Sequence, residues 1–127
     1  IIKKVGISFE FFNNIEESYI WGIDVIDERE NIIFISHDVD SEYNTKKLDV
    51  GFYKSTVWIP ENLLAEGIFS IGIGFFKQAP AIVYLHQQNI LRIKITDYMQ
   101  GNSARGNYNG NFPGFIRPKL SWQTSKV

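Results

Sequence analysis

Residues 68–76 read IFSIGIGFF, and their alternation is strict: Phe69, Ile71, Ile73 and Phe75 on one side, Ser70, Gly72 and Gly74 on the other. A period of two over nine residues is the signature of a strand with one buried face. Glycine in mid-strand marks a bulge or a place where something approaches the backbone closely. Two glycines on the outward side therefore leave two readings open, local packing geometry or a ligand pressed against that face.

Working outward, the same period recurs on both flanks. Residues 81–85 and 89–97 are expected to form a last strand pair, with Leu91, Ile93 and Ile95 inward and Arg92, Lys94 and Thr96 outward. Upstream, residues 51–59 set Tyr53, Ser55, Val57 and Ile59 against Phe52, Lys54, Thr56 and Trp58, and Pro60 ends that strand because it cannot donate to a ladder. Residues 61–66 can make one helical turn before Gly67. A first strand alternates Val5, Ile7, Phe9 and Phe11 with Gly6, Ser8 and Glu10, and stops at the turn signal Asn13-Asn14. Residues 18–26 and 32–36 form a hairpin around the polar turn 27–31. The facing of residues 18–26 stays open, because Tyr19, Trp21, Ile23 and Val25 oppose Ile20, Gly22, Asp24 and Ile26. Residues 37–49 are acidic and polar and read as a loop or a single helical turn between sheets.

Seven or so short strands at this spacing, without an amphipathic helix of three turns, predict an all-β fold: an antiparallel β-sandwich of immunoglobulin-like or jelly-roll type. In an immunoglobulin-like order the glycine strand, the Arg92/Lys94 strand and the Gly22/Asp24 strand share one sheet. Its outer face then carries small residues flanked by cations and one carboxylate.

The chain has 127 residues, enough for one domain with a core that needs no staples. With no cysteine, thiol nucleophiles and Cys-ligated zinc are excluded, and a reducing compartment is compatible. The 13 basic and 14 acidic residues nearly cancel, so nucleic acid is not an expected partner. The charge is nonetheless polarised. Residues 16–49 hold ten acids against Arg29, Lys46 and Lys47, whereas from Lys77 onward seven basic residues face Asp97 alone. Such opposite poles neutralise each other within the fold or across a dimer, or they offer a basic patch to an anionic sugar.

The last quarter, DYMQGNSARGNYNGNFPGFIRPKLSW at residues 97–122, combines a Gly/Asn-rich loop (98–114) with a closing run (115–124) that reads as one more strand. Such a strand pairs across its own domain or with a second copy. The string Ser103-Ala104-Arg105-Gly106, with Tyr108, Gly110, Pro113-Gly114, Arg117-Pro118 and Trp122, resembles the tail of the carbohydrate-binding C-terminal domain of Wzt-type ATP-binding subunits of O-antigen ABC exporters. Pro60-Glu61-Asn62-Leu63-Leu64 followed by Gly67 is similar to a turn of the same family, so the resemblance spans roughly residues 18–122.

The resemblance implies a single immunoglobulin-like domain over residues 1–127, with the sandwich at 1–97 and a C-terminal strand exchanged in a homodimer. It further implies recognition of the non-reducing end of a polysaccharide, and partnership with the ATPase and membrane subunits of an exporter at the cytoplasmic face of the inner membrane. The chain opens on Ile1 rather than Met and is expected to be part of a longer protein whose ATPase portion lies elsewhere.

Catalysis finds little support. Gly101 to Gly106 has phosphate-loop glycine spacing, but Asn107 and Tyr108 stand where Lys and Ser/Thr are needed. Gly72-x-Gly74 lies within a strand rather than after one. His37 and His86 are the only histidines, too few for a persuasive metal centre. Asp24, Asp27, Glu28 and Asp38 could supply the two carboxylates of a glycosidase, but acid-rich turns are ordinarily solvated. No catalytic residue, cofactor or metal is expected. Sugar binding asks for flat aromatic faces and planar polar groups. Trp58, on the side opposite Val57 and Ile59, is the leading candidate, with Tyr84, His86, Arg92 and Lys94 forming a rim; Trp21 reads as core and Trp122 as an anchor of the tail. A pure dimerisation module that touches no glycan is the alternative.

Overall fold

A computed structural model describes residues 4–43, 46–78, 80–96, 104, 106 and 108–126. Its strands are β1 (Val5–Asn13), β2 (Ile20–Ile26), β3 (Ile32–His37), β4 (Gly51–Ile59), β5 (Gly67–Gln78) and β6 (Ala81–Ile95). They form two antiparallel sheets, β1-β4 and β3-β2-β5-β6. The result is the antiparallel β-sandwich expected from the alternation, with β2, β5 and β6 side by side in one sheet.

Alternation decides which side chains fill the space between sheets. Ile7 and Ile59 from the small sheet meet Ile23, Val25, Phe69, Ile71 and Ile95 from the large one, together with Leu64. A second cluster joins Trp21, Leu48 and Phe75, bordered by Phe9, Phe11, Tyr19, Tyr43 and Tyr53. The open question over β2 is thereby resolved: Trp21, Ile23 and Val25 face inward and Gly22 and Asp24 outward. Trp21 is core as expected, its indole N–H donating to Ser55 Oγ at 3.2 Å.

The β2–β3 turn closes without glycine. Asp27 Oδ1 accepts the backbone N–H groups of Arg29 and Asn31 at 2.9 and 2.8 Å, and its Oδ2 accepts the Asn31 side chain at 3.0 Å. Glu30 takes the left-handed conformation, φ 65°, that a glycine would otherwise supply. In the acidic segment after β3, Leu48 is fully buried and its backbone bridges Glu17, while the Asn13 amide donates to the carbonyls of Leu48 and Asp49.

One expectation needs correction. Residues 81–85 and 89–97 do not form a pair with each other; residues 81–95 are a single strand, all of it laid against β5. The polar run Gln87-Gln88-Asn89, which resembles a turn, is a bulge. The ladder passes from Leu91 opposite Ile71 to Gln87 opposite Ile73, and Asn89 has φ 56°. A second shift leaves Tyr84 extra between Leu85, opposite Phe75, and Val83, opposite Phe76.

Residues 98–103, 105 and 107 of the Gly/Asn-rich segment 98–114 lie outside the described residues. Within 115–124, Ile116 bridges Leu64, with Ala65 N donating to Phe115 O at 2.8 Å and Arg117 N to Leu63 O at 2.7 Å. Arg117 is buried, its guanidinium bonding to the Phe112 carbonyl and lying 4.2 Å from that ring's centre. Beyond it Leu120 and Trp122 stand exposed.

Candidate functional site

The outer face of the large sheet is organised by register. Gly22 pairs with His37 on one side and Gly74 on the other, and Gly74 pairs with His86. Paired residues in an antiparallel ladder project to the same face. The row across the four strands is therefore His37, Gly22, Gly74, His86. Its two histidines stand about 14 Å apart at the backbone, three strand spacings of ~4.8 Å. With no side chains between them, the two glycines become the floor of a trough.

The rows on either side complete it. Two residues along, Ile35, Asp24 and Gly72 are aligned; in the other direction Phe76 is paired with Val83. The resulting cavity has a volume of about 190 Å³ and is lined by Gly22, Asp24, His37, Gly74, Phe76 and His86, with Ile35, Val83 and Leu85 on its walls. The His37 ring meets that of Phe76 edge-on at 5.2 Å.

Two of the glycines are required by their surroundings. A Cβ on Gly22 would collide with the Ser36 carbonyl and lie 2.8 Å from His37 Cα. On Gly72 it would meet the Asp24 carboxyl, with Cγ at 3.0 Å. Gly72 thus gives the Asp24 carboxylate space to lie across β5. Gly74 differs: the nearest atoms to a Cβ there are 3.8 Å away, so its openness serves the cavity rather than the packing.

Asp24 is the polar centre. Only 8% exposed, it holds Oδ2 2.9 Å from His86 Nε2, while Oδ1 is buried with no hydrogen-bond partner. Buried carboxylate oxygens nearly always accept a bond; this one is closed off against Gly72, so it is a cost of laying the carboxylate across β5 rather than an open acceptor in the cavity. Among the described residues no group of three or more His, Asp or Glu side chains is placed to hold a metal ion.

Of the five side chains singled out from the sequence, only His86 enters this trough. Trp58 lies on the outer face of the other sheet, 56% exposed, its indole over Gly6 and the Lys4 ammonium 4.6 Å from its ring centre. Tyr84 turns its ring edge-on to Tyr19 at 5.1 Å. Arg92, paired with Ser70, shares a separate depression with Asp27, Glu28 and Glu30, and Lys94 is paired with Ile68. Asp24, His37 and Phe76, which line the trough with His86, were not among those five. The available signal was the in-phase spacing of Gly22-x-Asp24 with Gly72-x-Gly74, legible once the strands are known to be neighbours.

A larger cavity, about 640 Å³, opens between the edges of β3 and β4 and is lined by Phe11, Trp21, Tyr43 and Tyr53 with Asp38 and Ser41. Gly22 and His37 border both this cavity and the trough.

These features define an antiparallel β-sandwich domain with a concave, partly apolar trough on its larger sheet. No protein-family model matches the sequence, and no curated protein matches it. Among solved structures, a crystal structure of the C-terminal domain of Wzt has the same fold: the TM-score is 0.74 at 13% identity, covering 98% of this chain and 71% of that one. No helix of the described residues is long and apolar enough to cross a membrane.

Proposed function

We propose that this domain recognises the non-reducing end of an O-antigen or related polysaccharide and selects it for export by an ABC transporter, without chemistry of its own. The observation that carries this reading is the trough: a glycine floor, an aromatic wall at Phe76, flanking imidazoles, and the Asp24 carboxylate paired to one of them. Sugars need an apolar surface for their C–H faces and planar polar groups for their hydroxyls, and this cavity supplies both. A glycosidase would need two carboxylates about the scissile bond; the cavity is lined by one, Asp24. The shared fold with the Wzt C-terminal domain and the tail motifs point the same way. In this reading the domain works at the cytoplasmic face of the inner membrane beside the exporter's ATPase and membrane subunits.

Trough residues Asp24, His37, Phe76 and His86 carry recognition here, while Trp58, Tyr84, Arg92 and Lys94 are peripheral. Isothermal titration with the native polysaccharide tests this. Binding that is lost in His86→Ala and in Phe76→Ala, but kept in Trp58→Ala and Arg92→Ala, supports the trough; the reverse pattern restores the earlier candidates.

A homodimer through residues 115–124 accompanies this reading. Phe115, Leu120 and Trp122 expose apolar side chains that one chain leaves uncovered, which is what a strand belonging to a twin subunit would do. The same observation favours the second reading, a dimerisation module that binds no glycan. Light scattering on the chain with and without residues 112–127 tests the dimer; a monomer in both forms removes it.

A further inference from the structure

The trough is bounded on three sides by side chains. His37 and His86 end its row across the strands, and Phe76, paired with Val83, closes it along them. On the fourth side lies the row of Asp24 and Gly72, where β5 carries no side chain and the Asp24 carboxyl rests across it. Residues two apart on a strand share a face, so the next row on that face is Ile26, Ser70 and Arg92.

That row opens a second cavity of about 330 Å³, walled by Ile26, Ser70, Asn89 and Arg92 and by Glu28 and Glu30 of the β2–β3 turn. Among the described residues, no hydrogen bond or ion pair holds the side chains of Ser70, Asn89 or Arg92, so a hydroxyl, an amide and a guanidinium are uncommitted. Backbone strain gathers at the same place. Of the three non-glycine residues with a left-handed φ among the described ones, Glu30 and Asn89 both border this cavity. Such conformations cluster where ligands are held. The two cavities are in line: Gly74 and Ser70 are four residues apart on β5, about 13 Å at the rise of a strand and more than the width of a sugar ring.

We propose that the site is longer than the trough: with its terminal sugar over Gly22 and Gly74, the glycan crosses the Asp24–Gly72 row along β5 and seats a later sugar against Ser70, Asn89 and Arg92. This rests on the glycan reading above and specifies its ligand as an end segment of several sugars rather than a single capping residue. Arg92 and the Asn89 amide donate to hydroxyl oxygens of the later sugar, and Ser70 both donates and accepts. Two such hydrogen bonds at their usual net strength amount to roughly 10-fold in affinity.

The test uses mild-acid fragments of the native polysaccharide that keep its non-reducing end, sorted by length and titrated into the chain with saturation-transfer NMR as the readout. Affinity is expected to rise at least about 10-fold between the terminal monosaccharide and the fragment long enough to reach Ser70, and to level off beyond it. Two variants locate the gain. Ser70→Tyr fills the second cavity and Arg92→Ala removes its guanidinium; each is expected to erase the increase with length while the monosaccharide binds as before. Native polysaccharide then still binds both variants through the trough, more weakly, whereas Phe76→Ala loses fragments of every length.

Equal affinity for the monosaccharide and all longer fragments, or a gain with length that survives both variants, overturns the inference while leaving recognition in the trough standing. So does polysaccharide binding with no response to any end fragment. Failure of polysaccharide and fragments alike to bind overturns the inference and the glycan reading together.

Discussion

His86 Nε2 lies 2.9 Å from Asp24 Oδ2, a contact between residues 62 apart in the chain and on strands separated by β5. It can form because β5 offers only Gly72 and Gly74 beneath it. The buried carboxylate thus depends on the imidazole for its one hydrogen bond. His86→Ala leaves both oxygens unpaired and is expected to lower stability by about 1–3 kcal/mol in urea unfolding. His86→Gln, which restores a donor, should recover much of it.

Gly22 and Gly74 are adjacent in the same row yet differ in what they tolerate. Gly22→Ala drives a methyl into the β3 backbone and is expected to destabilise the fold by about 2 kcal/mol or more, read as a lowered urea midpoint. Gly74→Ala makes ordinary contacts only and should unfold like the parent chain.

The tryptophans sort by burial. Trp21 is 3% exposed in the aromatic cluster, so Trp21→Ala is expected to cost about 3–5 kcal/mol. Trp58→Ala, on an open face, should cost about 1 kcal/mol or less. Equal losses in the two variants, measured by chemical denaturation, would contradict the assignment of faces.

Acid should loosen the β2–β3 turn. Hydrogen bonds from the Asn31 side chain, then from the Asn31 and Arg29 backbone, hold the Asp27 carboxyl below its usual range. A depressed folded pKa means stability that is present above the ordinary aspartate value and lost as pH falls through the folded one. Asn31→Ala removes the leading cause. Thermal melts from neutral to acid pH should show the variant less stable than the parent at pH 7, with the gap narrowing as pH falls.

The ion pair Lys77–Glu17, 2.7 Å apart, bridges β5 to the segment before β2. Its side-chain hydrogen bond is the main reason that the Glu17 carboxyl titrates below and the Lys77 amine above the ordinary range. For the lysine, whose pKa is raised on folding, the contribution is complete below its unfolded pKa and fades as pH rises through the folded one; for the glutamate it fades as pH falls through its lowered value. Both groups are partly exposed, so Lys77→Met should shift the melting temperature by only a degree or two at neutral pH and reduce the sensitivity to salt.

Strand positions and core faces were legible in residues such as Phe69, Ile71 and Phe75, because burial of one face imposes a period of two. The sharing of one sheet by β2, β5 and β6 followed from an immunoglobulin-like strand order, while the facing of β2, apolar on both sides, needed the ladder to settle it. Two things were not legible. Gln87-Gln88-Asn89 has turn composition, and only the ladder on β5 shows that the strand continues through it. The trough requires three non-adjacent strands in a particular register, which no local pattern encodes: Asp24 looks like any outward acid until Gly72 is placed beside it. Hence sequence alone points to the aromatic Trp58 on the other sheet and not to the carboxylate that the glycines accommodate.

The two bulges of β6 bear on how this protein stays in solution. Strand β6 is 15 residues long and forms the outer boundary of its sheet, with its far side free of any ladder among the described residues. A flat border of that length invites endless edge-to-edge accretion of like molecules. Displacing the chain at Tyr84 and again near Asn89 breaks that border into pieces too short and too twisted for a straight foreign strand to follow, so irregularities that look like defects of pairing act as protection against fibre growth.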